Sequence, residues 1–219
     1  MNIFADIILA SLVIINLRLA GSSRLGTLIR AVALQGFFIG LLPLIFTGGE
    51  HWGITLINIA VKGVLMPIML TYAMKKTNTK RELEPLVGCG KSVAIIFAIT
   101  LMSFYFCEAR HIEAEIATRL AVPLAFTTIA TGLFLIISRR KAITQVIGFL
   151  VFENGVSIFG ASIAMEYGLL IELGILLDVF VLVFILGIAI YDISRTFSSI
   201  DIDKLNHLGD RGHIHLRRH

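Results

Sequence analysis

Gly148-Phe149-Leu150-Val151-Phe152-Glu153-Asn154-Gly155-Val156-Ser157-Ile158-Phe159-Gly160 would be lipid-soluble from end to end were it not for one carboxylate and the amide beside it. The stretch lies inside an apolar segment covering about 142–164, enough to cross about 30 Å of hydrocarbon at about 1.5 Å per residue. An acidic side chain at that depth costs about 2.5–3.5 kcal/mol on insertion-derived scales, so it faces a partner, a wet cavity or an ion path rather than lipid. Two further segments carry the same anomaly. Asp178 follows Glu172-Leu173-Gly174-Ile175-Leu176-Leu177, and Lys62 follows Asn58-Ile59-Ala60-Val61.

Composition agrees with a chain dissolved in a bilayer. Of the 219 residues 57% are hydrophobic and 16% charged, whereas a soluble domain carries about 25% charged residues. Seven apolar segments can be counted, near 2–20, 27–47, 53–74, 90–108, 118–138, 142–164 and 168–191, which predicts an all-α membrane protein of seven transmembrane helices. Pro43 in the second and Pro67 in the third each remove a backbone donor, and predict a kink or a helix end there. The first segment is read as a retained helix rather than a signal peptide, because Arg18 and Arg24 follow its apolar run instead of preceding it.

The basic residues report topology, not nucleic acid. Arg18 and Arg24, Lys75 to Lys91, Arg139 to Lys141 and the cationic tail fall on one side of a seven-span layout, and the other side holds Glu50, the mixed run 108–115 and Glu166. The positive-inside rule then places the N-terminus outside and the C-terminus in the cytoplasm, making this a multi-pass protein of the cytoplasmic (inner) membrane. Counted from the nearest basic or polar end, Glu153, Asp178 and Lys62 lie at depths of about 18, 21 and 20 Å. A shared layer suits lateral proton movement or charge compensation between helices. Glu172, six residues before Asp178, sits nearer the outer interface and is a candidate to guide protons towards it.

Other readings of these residues stay open at this stage. Glu153 also fits a structural carboxyl hydrogen-bonded to a neighbouring helix, and Lys62 fits a salt bridge to Asp178 or to another subunit. Thr127, Thr128, Thr131, Ser157 and Ser162 are by default helix-contact residues. The motifs of redox and nucleotide chemistry are missing: no phosphate loop, dinucleotide fingerprint, cysteine cluster or nucleophile with an adjacent base. No cofactor, metal or catalytic residue is expected.

A weak internal repeat divides the chain. Segments 1–3 and 5–7 enter the membrane in the same direction, each with a basic first loop and an ionisable residue in its third helix, and Gln35-Gly36 stands where the second half has Glu153-Asn154-Gly155. The expected units are 1–89, a linker helix and loop over 90–117, a second three-helix unit over 118–193 and a cytoplasmic tail over 194–219 that orders against a partner.

Lys62-Gly63-Val64-Leu65-Met66-Pro67-Ile68-Met69-Leu70-Thr71-Tyr72-Ala73, the stretch around Glu153, Glu172 to Asp178, and Leu205-Asn206 together resemble the hydrogenase-4 component E family, membrane subunits of energy-converting nickel–iron hydrogenases. The last three segments are similar to NuoK, the three-helix subunit of complex I, which has one acidic residue in each of its last two helices. Glu153 matches the first, and Asp178 stands where NuoK has a glutamate. The resemblance implies a place between antiporter-like membrane subunits and the membrane and peripheral subunits of a hydrogenase. Glu153, Asp178, Lys62 and Glu172 would there take part in proton transfer that couples redox chemistry to proton or sodium pumping. A structural adaptor and a cation/proton antiporter subunit are the alternatives.

Overall fold

A computed structural model describes residues 3–46, 52–76, 86–109 and 119–162, together with 181, 183, 185 and 187. All the regular elements among them are helical. In chain order they are α1 (Ile3–Gly21), α2 (Leu25–Phe46), α3 (Trp52–Asn58), a π-helical turn (Ile59–Leu65), α4 (Met66–Lys76), α5 (Cys89–Ala109), α6 (Ala121–Ser138) and α7 (Ala142–Ser162). The elements α3, π turn and α4 run on as one span, so the described residues hold six helices long and apolar enough to cross a membrane. The expected seventh span, 168–191, lies outside the described residues except for Val181, Val183, Ile185 and Gly187; these are helical, with Val181 and Ile185 buried against the core.

The third span shows what Pro67 does to a helix. Proline has no N–H to give the carbonyl four residues back, and its ring crowds that carbonyl. The backbone answers one turn earlier by widening: the N–H of Met66 bonds to the carbonyl of Val61, five residues back. Lys62 lies in this wide turn and is buried there. In α2 the helix continues past Pro43 and ends three residues later at Phe46.

Glycine sets the closest helix contact. α6 and α7, joined by residues 139–141 alone, form the tightest pair among the described helices, and a Cβ on Gly132 would clash with the backbone nitrogen of Phe152. Backbones this close are the small-residue packing by which helices associate in a bilayer, where no hydrophobic effect draws them together. Replacing Gly132 with alanine should destabilise the chain by about 1–3 kcal/mol, because neither backbone can yield. Gly26→Ala, in α2 at a position with nothing within 4 Å, should leave the thermal midpoint in detergent at or slightly above the wild-type value.

The core is built on α1, α2, α6 and α7: α1 meets α6 and α2 meets α7, elements at corresponding places of the expected repeat. α5 rests on α1 and α6 and is peripheral, with 22% of its span buried against 61% for α6 and α7. Its outer face, including Phe97, Leu101, Met102 and Tyr105, is apolar and exposed, as a lipid-facing surface must be.

Arg139 has a role beyond topology. Its guanidinium is buried and donates to the carbonyls of Ala20 (3.0 Å) and Ser22 (3.1 Å), capping the C-terminus of α1 where unpaired carbonyls collect. The N–H of Leu86 reaches the carbonyl of Ser138 at 3.0 Å. These bonds gather the α1–α2 turn, the chain entering α5 and the α6–α7 turn at one end of the bundle. That end carries Arg18, Arg24, Lys75, Lys91 and Arg139 to Lys141.

Candidate functional site

The site is built where α2, the π turn and α7 meet. A Cβ on Gly36 would fall 2.7 Å from the carbonyl oxygen of Lys62, and one on Gly40 would fall 2.7 Å from Cγ1 of Ile59. The pair Gly36 and Gly40, one turn apart, therefore lets α2 lie directly on the π turn. This close seat fixes the level of Lys62 against α2 and turns its side chain towards α7.

Two α7 residues receive it. The Lys62 ammonium donates to Oε1 of Glu153, forming an ion pair, and to Oγ of Ser157 at 3.1 Å. Glu153 and Ser157 are four residues apart and so share one face of the helix. The side chains of the pair are 7% and 3% exposed, so no solvent shares the charge. The second carboxylate oxygen of Glu153, Oε2, is buried and has no partner among the described residues. A buried side-chain oxygen without a partner is rare in a folded protein, and it marks this pair as the site to explain.

Beside the pair runs a chain of neutral polar groups. Asn154 donates to Gln35 Oε1 (3.3 Å), Gln35 donates to Asn16 Oδ1 (3.0 Å), Asn16 donates to Thr128 Oγ1 (2.9 Å), and Thr128 donates to the carbonyl of Leu124 (2.8 Å). All four side chains are buried, and they tie α7 to α2, α1 and α6 in turn. Every donor points the same way along the chain, so each bond polarises the next. Amides hold geometry and do not readily hand protons on. The chain therefore fixes the rotation of α7 at the residue next to Glu153.

Of the residues expected from sequence, Lys62 and Glu153 are brought together. The match in depth inferred from residue offsets is realised as a direct contact between Lys62 and Glu153. Asp178 and Glu172 lie outside the described residues. Thr127 and Thr131 bond to carbonyls four residues back, as helix-contact hydroxyls do. Asn16 was not singled out by sequence reasoning, although an amide inside the first apolar segment is a usable signal. Among the described residues no three His, Cys, Asp or Glu gather as a metal site would require.

Comparison with known proteins bears on the family. The chain is 27% identical over 215 residues to an uncharacterized protein of Mycobacterium tuberculosis, Rv0085, covering 95% of this chain and 97% of that one. It is also 24% identical over 147 residues to hydrogenase-4 component E of Escherichia coli, covering 67% of this chain and 68% of that protein. Hydrogenase-4 component E of Shigella flexneri matches to the same extent. The likeness is distant, and it supports the resemblance to a hydrogenase membrane-subunit family. No family model matches the chain, and no solved structure matches it.

Proposed function

We propose that the chain is an integral subunit of a complex I-like energy-converting hydrogenase complex of the cytoplasmic membrane, where its buried charges couple redox chemistry to proton or sodium translocation. The observation that carries this reading is the Lys62–Glu153 pair, held at a π-helical turn with Glu153 Oε2 unpaired among the described residues. A buried ion pair contributes little stability compared with apolar residues of the same volume, so its presence favours a charge-coupling role. A proton delivered to Oε2 neutralises Glu153 and frees the Lys62 ammonium to respond to another carboxylate. Asp178 is the proposed next site and Glu172 its outer guide. When the proton leaves, Lys62 returns. π turns recur at functional sites and supply the local slack that such a shift requires.

The orientation goes with this reading. The end of the bundle that gathers Arg18, Arg24, Lys75, Lys91 and Arg139 is cytoplasmic by the positive-inside rule, with the N-terminus outside and the C-terminus inside after a seventh span. The last three spans form the NuoK-like unit, and α5, resting on both α1 and α6, is the linker between halves. Antiporter-like subunits and the hydrogenase module are the partners. Mild-detergent affinity purification through the N-terminus, followed by mass spectrometry, should recover antiporter-like subunits with a hydrogenase large subunit. A monodisperse chain without partners, under conditions that keep other membrane complexes intact, overturns the assignment.

One observation favours a second reading, a structural adaptor. The same ion pair fastens the third span to α7, and those two otherwise touch only lightly. An adaptor needs the tie and not the proton. A complex carrying both Glu153→Gln and Asp178→Asn separates the two, since only an adaptor would keep wild-type ion pumping.

A further inference from the structure

Arg30 is an exposed cation within the membrane span of α2, at the junction of two grooves. One groove, about 520 Å³, runs between α2 and the third span along Ala33, Val64, Pro67 and Ile68, and also reaches Lys75. The other, also about 520 Å³, runs between α1 and α2 and brings Arg18 to the opposite side of Arg30. Arg18, Arg30 and Lys75 are all exposed, and neither Arg30 nor Lys75 is paired with an acidic group among the described residues.

The register of the helices makes the cations converge. Gly36 rests on the backbone of Lys62, which sets a common level. From that level Arg30 is six residues, about 9 Å, towards the basic end, and Lys75 is thirteen residues, about 20 Å, in the same direction. Helical side chains lean towards the N-terminus of their own helix. α2 begins at the basic end and the third span begins at the opposite end, so Arg30 leans down and Lys75 leans up. The two side chains therefore converge along the axis across an offset of roughly 10 Å, and both line the same groove. What results is a slot open to the bilayer, apolar along its length and cationic at its headgroup end.

We propose that this slot binds an anionic phospholipid of the basic-side leaflet. Its phosphate lies between Arg30 and Lys75, and one acyl chain lies along Ala33, Val64 and Ile68. A second chain enters the α1–α2 groove, where Arg18 adds to the field. A zwitterionic headgroup fits the apolar slot equally well but brings its own ammonium among three cations, so the site selects for net negative charge.

The test is native mass spectrometry of the purified full-length chain in detergent at fixed ionic strength, titrated with phosphatidylglycerol or with phosphatidylcholine. The wild type should retain phosphatidylglycerol in preference. The Arg30→Gln, Lys75→Gln double variant should retain it about twenty-fivefold more weakly, at roughly fivefold for each surface cation lost. Arg24→Gln with Lys91→Gln, an equal loss of charge at exposed positions outside the slot, should leave retention near the wild-type value. Equal retention of both lipids would reduce the slot to non-selective apolar filling, and equal losses in both double variants would reduce it to diffuse surface charge. A photocrosslink from Ile68 to a partner subunit in the intact complex would make the slot a protein interface. Each of these three outcomes overturns the proposal.

Discussion

Replacing Lys62 with methionine is expected to destabilise the isolated chain by about 3–5 kcal/mol, whereas replacing both Lys62 and Glu153 with methionine should restore most of that loss. The reason is the asymmetry of a buried pair. With its side chain 3% exposed, Glu153 has no water to take over when the ammonium is removed, and its Oε2 already lacks a partner among the described residues. The single variant therefore holds an uncompensated carboxylate in a low-dielectric interior. The double variant holds two flexible apolar side chains that fill similar volume without a charge. Unfolding midpoints of the purified proteins in detergent read both effects. A double variant as unstable as the single one would show that the loss comes from packing at the π turn and not from the orphaned charge.

The same cycle shows why the pair is legible in sequence only up to a point. Hydropathy segments predicted the six described spans closely, because about 20 apolar residues have few other uses. Residue offsets placed Lys62 and Glu153 at one depth, and the structure has them in contact. Offsets give depth along a helix but not its rotation or its neighbour, so the partner of Lys62 was left open between Asp178 and another subunit. Rotation is set by Gly36 against the Lys62 carbonyl and by the Asn154, Gln35, Asn16 and Thr128 chain, all of them contacts between distant parts of the sequence. Pro67 announced a disturbance. That it takes the form of a π turn carrying Lys62 and seated on α2 is seen only in the structure.

One charge read only as a topology marker has a structural role as well. Arg139 stood in the basic α6–α7 loop and was counted for orientation, yet it is buried and caps α1 through the carbonyls of Ala20 and Ser22. Arg30, inside the second apolar segment, drew no notice because an arginine near a span end can reach the interface with its long side chain. Its significance depends on the grooves on either side of it, and grooves are properties of helix pairs.

Glu153→Gln carries the largest expected functional effect. The buried Lys62 ammonium loses its counter-charge and the chain some stability, but the amide keeps the shape of the side chain and an oxygen for it, and Ser157 remains as a second acceptor, so the complex should still assemble. What is lost is the ability to take up and release a proton at Oε2. If charge coupling runs through this pair, redox turnover and ion movement come apart. A purely structural carboxylate would instead show its loss in the amount of complex assembled.

The decisive measurement is ion uptake by sealed membrane vesicles containing the intact complex with Glu153→Gln, recorded alongside hydrogenase turnover with an artificial electron donor and the yield of assembled complex. The account predicts normal assembly, largely intact turnover and ion uptake reduced to the level of uncoupled vesicles. Wild-type ion uptake in the assembled variant would contradict it.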